Sequence, residues 1–189
     1  MTIVENEQQF TINDHTVKSA DVFPYLGFDI SSQNSHEKAV SKRIVLAWEA
    51  YKSKSSVMNA SKVPLYTKVK IYKVYIQPVL LYGMECVTWT KKLVKKISVF
   101  QNDMMRTICG YKRADKIKLC DLFTSTKLEP ITVTLRKWID KWKEKVVSSQ
   151  RGVMKLCMED SINGNRKTGR PKMRWEESYK NITCDSTST

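Results

Sequence analysis

Residues 91–110 read KKLVKKISVFQNDMMRTICG. Within them Leu93, Ile97, Phe100, Met104 and Ile108 recur at helical spacing and fall on one stripe. Lys91, Lys95 and Arg106 fall on the opposite side, and Lys92 lies near it. Gly110 follows the last periodic residue and suits a left-handed C-cap. The spacing therefore predicts a helix over 91–109 with one face for a core and another for phosphates.

Downstream, residues 116–123 predict a short helix. Pro130 then opens a longer one to about Val147, because proline in a first turn lacks only an N–H that has no helical partner there. Leu135, Trp138, Trp142 and Val146 make its expected stripe, with Lys137, Lys141 and Lys145 beside it. A basic loop follows, punctuated by Gly and Pro and running from Asn163 through Arg166, Lys167, Gly169, Arg170, Pro171, Lys172 and Arg174 to Trp175.

Upstream, a helix starts near Pro64 and presents Leu65, Val69, Tyr72 and Ile76 on one face. Pro78 is expected to kink or end it, and Tyr82-Gly83 to mark a turn or a close packing point. Another helix carries Val40, Ile44, Ala47, Trp48 and Tyr51, with Lys42 and Arg43 beside that stripe and a break at 53–56. Before it the periodicity is β. Phe10–Ile12 leads through Asn13-Asp14 to Thr16-Val17, and Val22–Ile30 follows with a Pro and a Gly suited to an edge or a bend.

The 189 residues carry a net charge of +14. Residues 1–35 hold one lysine and five acids, whereas 36–150 hold 24 basic and 9 acidic residues. The excess lies in the helical body, which makes a polyanion the expected partner. The cysteines number five, without a CxxC pair and with only His15 and His36 nearby in type, so a zinc site is not expected. They read as small buried hydrophobes of a reducing compartment. The N-terminus has no apolar leader, and the longest apolar run, about residues 74–83, is too short to span a bilayer. The chain is thus expected to be intracellular, in nucleus or cytoplasm, with no membrane partner and no small-molecule substrate.

Catalytic patterns are missing from the sequence. Polymerase chemistry needs carboxylates clustered on metal ions, yet no two of the nine aspartates are adjacent. Each histidine lies in a polar stretch and reads as a solvated surface residue without a placed nucleophile. The segment Arg166–Lys172 resembles a degenerate AT-hook, whose Arg and Lys can lie in an A·T-rich minor groove. Generic phosphate contact and a purely structural loop are the other readings of this segment.

One ordered set of motifs is more specific. Phe23-Pro24-Tyr25-Leu26-Gly27 precedes Arg43-Ile44 and Ala47. Lys68, Tyr72, Ile76, Pro78 and Leu80-Leu81-Tyr82-Gly83 with Glu85 and Trp89 come next. Gln101, Arg106, Cys109-Gly110, Gly169-Arg170-Pro171 and Arg174-Trp175 complete the set. The order resembles the C-terminal part of reverse transcriptases from LINE-type, non-LTR retrotransposons.

The resemblance implies a mainly α fold: a short N-terminal β-hairpin, a helical thumb-like bundle and an irregular basic C-terminal segment. Residues 1–34 would end the palm, with Tyr25, Leu26 and Gly27 in a primer-grip-like hairpin. Residues 35–128 would form the thumb and 129–189 the connector. The implied activity is RNA-directed DNA synthesis by a parent enzyme, which would use magnesium ions. This chain, without the palm aspartates or a cofactor of its own, is expected to be inactive alone and to keep template–primer binding. Lys42, Arg43, Lys68, Lys91, Lys92, Lys95, Arg106, Lys137, Lys141, Arg166, Lys167, Arg170, Lys172 and Arg174 are its candidate contacts to an RNA–DNA or DNA duplex backbone. The post-thumb region departs from the family in reading Trp142-Lys143-Glu144-Lys145, with no Gly-His pair. The alternative reading is a small DNA-binding or architectural protein that uses the AT-hook-like loop.

Overall fold

Two short antiparallel hairpins begin the chain. Strands β1 (Phe10–Ile12) and β2 (His15–Val17) pair Phe10 with Val17 and Ile12 with His15. Strands β3 (Val22–Tyr25) and β4 (Phe28–Ser31) pair Val22 with Ser31 and Tyr25 with Phe28. The computed structural model describes residues 10–12, 15–17, 20–31, 36–148, 155, 169 and 173–182. Contacts divide the chain into two units, residues 1–39 and 40–189.

In the first unit, Leu26 and Gly27 have φ values of 47° and 75°. Two central residues with positive φ define a type I′ turn, the turn whose twist matches paired strands. Val22–Ile30, expected as β with an edge or a bend, is therefore two strands folded on Leu26-Gly27. Leucine is an uncommon residue in this conformation, so Gly27 is the residue that marks the bend in the sequence. His36 packs against Phe28 with ring centroids 6.4 Å apart. Burial lowers its pKa, so it is a half-buried, neutral ring and not the solvated residue its neighbours suggested.

The second unit is helical. Helices α1 (Glu37–Ser53, whose first residues belong to the first unit) and α2 (Ser55–Met58) are separated at Lys54, where the serine-rich stretch predicted a break. Helix α3 (Leu65–Ile71) continues through a π-helical turn, Tyr72–Ile76, into α4 (Gln77–Leu81). Pro78 has no N–H to offer the preceding turn, and the widened turn accommodates it without ending the rod. Tyr82 (φ −62°, ψ 123°) and Gly83 (φ 73°, ψ 5°) then make a type II turn, which requires positive φ at its third position.

Helix α5 occupies Lys91–Cys109, the span expected. The Thr90 hydroxyl accepts a hydrogen bond from the Leu93 N–H at 3.3 Å, capping its start. At its end the Gly110 N–H donates to Thr107 O at 3.2 Å and the Tyr111 N–H to Arg106 O at 2.9 Å, the paired bonds of a Schellman motif. All five predicted stripe residues are buried, together with Gln101 and Met105.

Helix α6 (Leu119–Thr126) starts three residues later than expected. A 3-10 turn, Arg113–Asp115, precedes it, and Lys116 sits at φ 51°, where no helix can begin. Helix α7 (Ile131–Ser148) buries Ile131, Thr132, Leu135 and Ile139. Its core face is rotated from the expected one, leaving Trp138 42% exposed. Trp142 instead meets Trp175 edge-on at 5.6 Å, on the short helix α8 (Trp175–Tyr179), a pairing remote in sequence.

α5 packs against α3, α6 and α7. The buried Gln101 amide donates to Glu129 O at 2.9 Å and accepts from the Ile131 N–H at 2.6 Å. It thereby satisfies an N-terminal amide of α7 that has no partner within its own helix. Gln101→Leu keeps the approximate size but removes both bonds and leaves the buried Ile131 N–H unpaired. It is expected to destabilise the protein by about 2 kcal/mol, seen as a lower urea midpoint with an unchanged m-value.

Candidate nucleic-acid interface

Among the described residues, the candidate contacts do not form one surface. Lys91, Lys92 and Lys95 are exposed on the first two turns of α5. The Lys96 ammonium donates to the Ser41 hydroxyl at 2.7 Å, which brings the start of α1, with exposed Lys42, to the same end. The Trp175 indole N–H donates to Glu85 O at 2.7 Å, and the Asn181 amide donates to Trp89 O at 2.9 Å. These bonds hold the 173–182 segment, with exposed Arg174, against the turn preceding α5.

The lysines at this end are placed against the helix's own stability. No acid lies in the first turn of α5, where the helix dipole favours negative charge. Lys91 and Lys95 are like-charge neighbours one turn apart, which is mildly destabilising. An external polyanion would relieve both penalties.

The remaining candidates lie elsewhere. Arg43 is only 8% exposed, and its guanidinium stacks 4.3 Å above the Tyr82 ring. The planar cation is part of the packing between α1 and the turn after α4. Lys68 is half-buried and close enough to Cys109 to act on its thiol electrostatically, at the far end of α5. Arg106, with a side chain 21% exposed, pairs with Asp103 at 3.7 Å. Asp103 also binds Arg113. Lys137 and Lys141 are exposed on α7, and Lys137 pairs with Glu129 at 2.7 Å. Tyr25, Leu26 and Gly27 form the tip of the β3–β4 hairpin, with Tyr25 and Leu26 exposed. Arg166, Lys167, Arg170 and Lys172 lie outside the described residues.

A further basic group went unread in the sequence. Residues 60–84 contain Lys62, Lys68, Lys70 and Lys73 and no carboxylate at all. Lys70 and Lys73 meet Lys127, from the end of α6, around a groove of about 480 Å³. The lack of acids over that stretch was the available signal, while the approach of Lys127 is a tertiary fact.

The cysteines are also less buried than expected. Cys86 and Cys120 are exposed and Cys109 is half-buried, all with free thiols. Partial burial raises the pKa of Cys86, helped by the adjacent Glu85 charge, and burial raises that of Cys109. Both are held as thiols, which disfavours a nucleophilic role. Among the described residues, no three His, Cys, Asp or Glu side chains gather to hold a metal ion. No helix among them is long and apolar enough to cross a membrane.

The chain is similar to an uncharacterized transposon-derived protein of Caenorhabditis elegans, at 22% identity over 167 residues. The match covers 85% of this chain and 59% of that protein, so the chain spans about three-fifths of its relative. No protein-family model matches the chain. No solved structure matches it either. The likeness links the chain to transposon-derived sequence.

Two buried polar groups give direct tests. Arg43→Ala should destabilise the protein by about 1–2 kcal/mol through lost stacking and packing. A lower urea midpoint checks that loss. The Tyr72 hydroxyl is fully buried beside Gln101 without a partner in hydrogen-bond geometry. Burial pushes its pKa well above the ordinary value of 10.0, with the Gln101 amide opposing slightly. The folded state therefore holds this proton more tightly than the unfolded chain. Its contribution is intact below pH 10.0 and is lost as pH rises toward the folded value. Tyr72→Phe should be neutral, or stabilising by up to about 1 kcal/mol, at neutral pH. It should also show a shallower loss of stability in alkali, followed by denaturant midpoints across pH.

Proposed function

We propose that this chain is the nucleic-acid-gripping part of a LINE-type retrotransposon reverse transcriptase, with a thumb-like helical unit that holds a template–primer duplex by its backbone. The observation that carries the reading is the cluster of Lys42, Lys91, Lys92, Lys95 and Arg174 at the N-terminal end of α5. Its exposed cations gather at a helix end whose first turn carries no acid, where the helix dipole favours an anion. The order of family motifs along the chain and the likeness to a transposon-derived protein support it.

A duplex grip of this kind needs no base contacts. Ammonium groups on rigid helices meet phosphates at any sequence and let the strand advance, and release of condensed counterions supplies the affinity. The Leu26-Gly27 hairpin tip is the proposed partner of the primer end. Metal-dependent synthesis belongs in this reading to aspartates outside these residues, so primer extension by this chain alone is not expected.

Affinity for an RNA–DNA hybrid, measured against salt concentration, should fall with a log–log slope of roughly −4 for five phosphate contacts. It should change little with base sequence. The double variant Lys91→Ala, Lys95→Ala should reduce the slope by about two. A flat salt response would remove the reading. A strong preference for A·T-rich duplex would favour the minor-groove alternative.

A further inference from the structure

The groove between α3 and α6 is separate from the cluster just described. Lys68 lies near Cys109, and Tyr72 lies near Gln101, so α3 runs antiparallel along α5 and its start lies at the C-terminal end of α5. Fourteen residues separate Lys95 from Cys109, which is roughly 20 Å along a helix. Leu65 and Val69 form apolar walls, and Tyr66 stands at the groove 75% exposed. Lys70 and Lys73 follow Tyr66 on the same rod, and Lys127 faces them from the left-handed C-cap of α6 at φ 50°. Among the described residues no carboxylate pairs with any of these three lysines.

We infer that this groove seats an unpaired nucleotide of a bound strand, its base against the Tyr66 ring and its phosphates on Lys70, Lys73 and Lys127. The proposal rests on the reading of the chain as a nucleic-acid grip and adds a single-strand subsite to it. The chemistry required of the occupant is narrow: a flat apolar face beside a polyanionic backbone. The 480 Å³ volume lies within the ordinary range for a small-ligand site. An aromatic ring beside lysines is the usual means of holding single strands without reading sequence. An acidic peptide would satisfy the lysines but has no planar group for the open face of Tyr66. A base inside a duplex has no free face to offer, so the groove selects a nucleotide beyond the paired region.

The test compares a blunt RNA–DNA hybrid with the same hybrid carrying a short unpaired extension, by fluorescence anisotropy on the full chain. The extension should tighten binding roughly tenfold. Tyr66→Ala should abolish that gain with blunt-hybrid affinity unchanged, and Tyr66→Phe should keep it. The triple variant Lys70→Gln, Lys73→Gln, Lys127→Gln should lower the salt slope only for the extended hybrid. A gain that survives in Tyr66→Ala, or wild-type protein that binds both hybrids equally, overturns the subsite and leaves the duplex grip standing. Failure of wild-type protein to bind either hybrid at low salt overturns both. Displacement of the extended hybrid by poly-glutamate as readily as by a single-stranded oligonucleotide overturns the nucleotide assignment in favour of an acidic peptide.

Discussion

The helical unit is organised by the buried face of α5. Leu93, Ile97, Phe100, Met104 and Ile108 are each at most 5% exposed. Large apolar side chains contribute about 1.5–3 kcal/mol each on full burial. That face is covered from several sides, by α3, α6 and α7, and by Trp48 of α1, whose ring meets Phe100 at 5.4 Å. One polar side chain interrupts the apolar stripe. Gln101 uses both ends of its amide to fix the chain entering α7, so packing and direction of the next helix are set at a single position. A buried amide is tolerated there because every bond it forms answers a backbone group that would otherwise be orphaned.

The same helix separates structure from charge. Its inner face is committed to the core, which leaves lysines to its first turns and outer side. Buried Arg43 stacks over Tyr82, and half-buried Lys143 lies 4.0 Å above Tyr179. Some charges beside the candidate surfaces are likewise answered locally, Arg106 and Arg113 by Asp103 and Lys137 by Glu129. Such exposed pairs contribute little stability, but they reduce the positive field where they occur. Exposed lysines gather at the two ends of α5: in the Lys91–Lys95 cluster and in the groove walled by Lys70, Lys73 and Lys127.

Most of the helical framework was legible from residues alone. The limits of α5 and α7, the Gly110 cap and the break near Lys54 all follow from local rules of periodicity and capping. The errors have local causes too. Lys116 delayed α6 because it takes a positive φ that lysine rarely adopts and that no helix can start from. Pro78 was absorbed by a π-helical turn because the rod is held on both sides of it by buried Tyr72, Ile76, Leu80 and Leu81.

The sequence by itself determined which segments are helical, where they stop and that the helical body is strongly cationic, because each depends on residues within a few turns of one another. Tertiary structure decided what those charges face. Trp142 was drawn from the expected stripe to Trp175, and Arg43 was turned onto Tyr82. Lys127 was carried across to Lys70 and Lys73, and Arg174 to the start of α5. These outcomes depend on contacts between residues far apart in the chain, whose approach is set by the packing of whole helices and leaves no periodic trace in the order of amino acids.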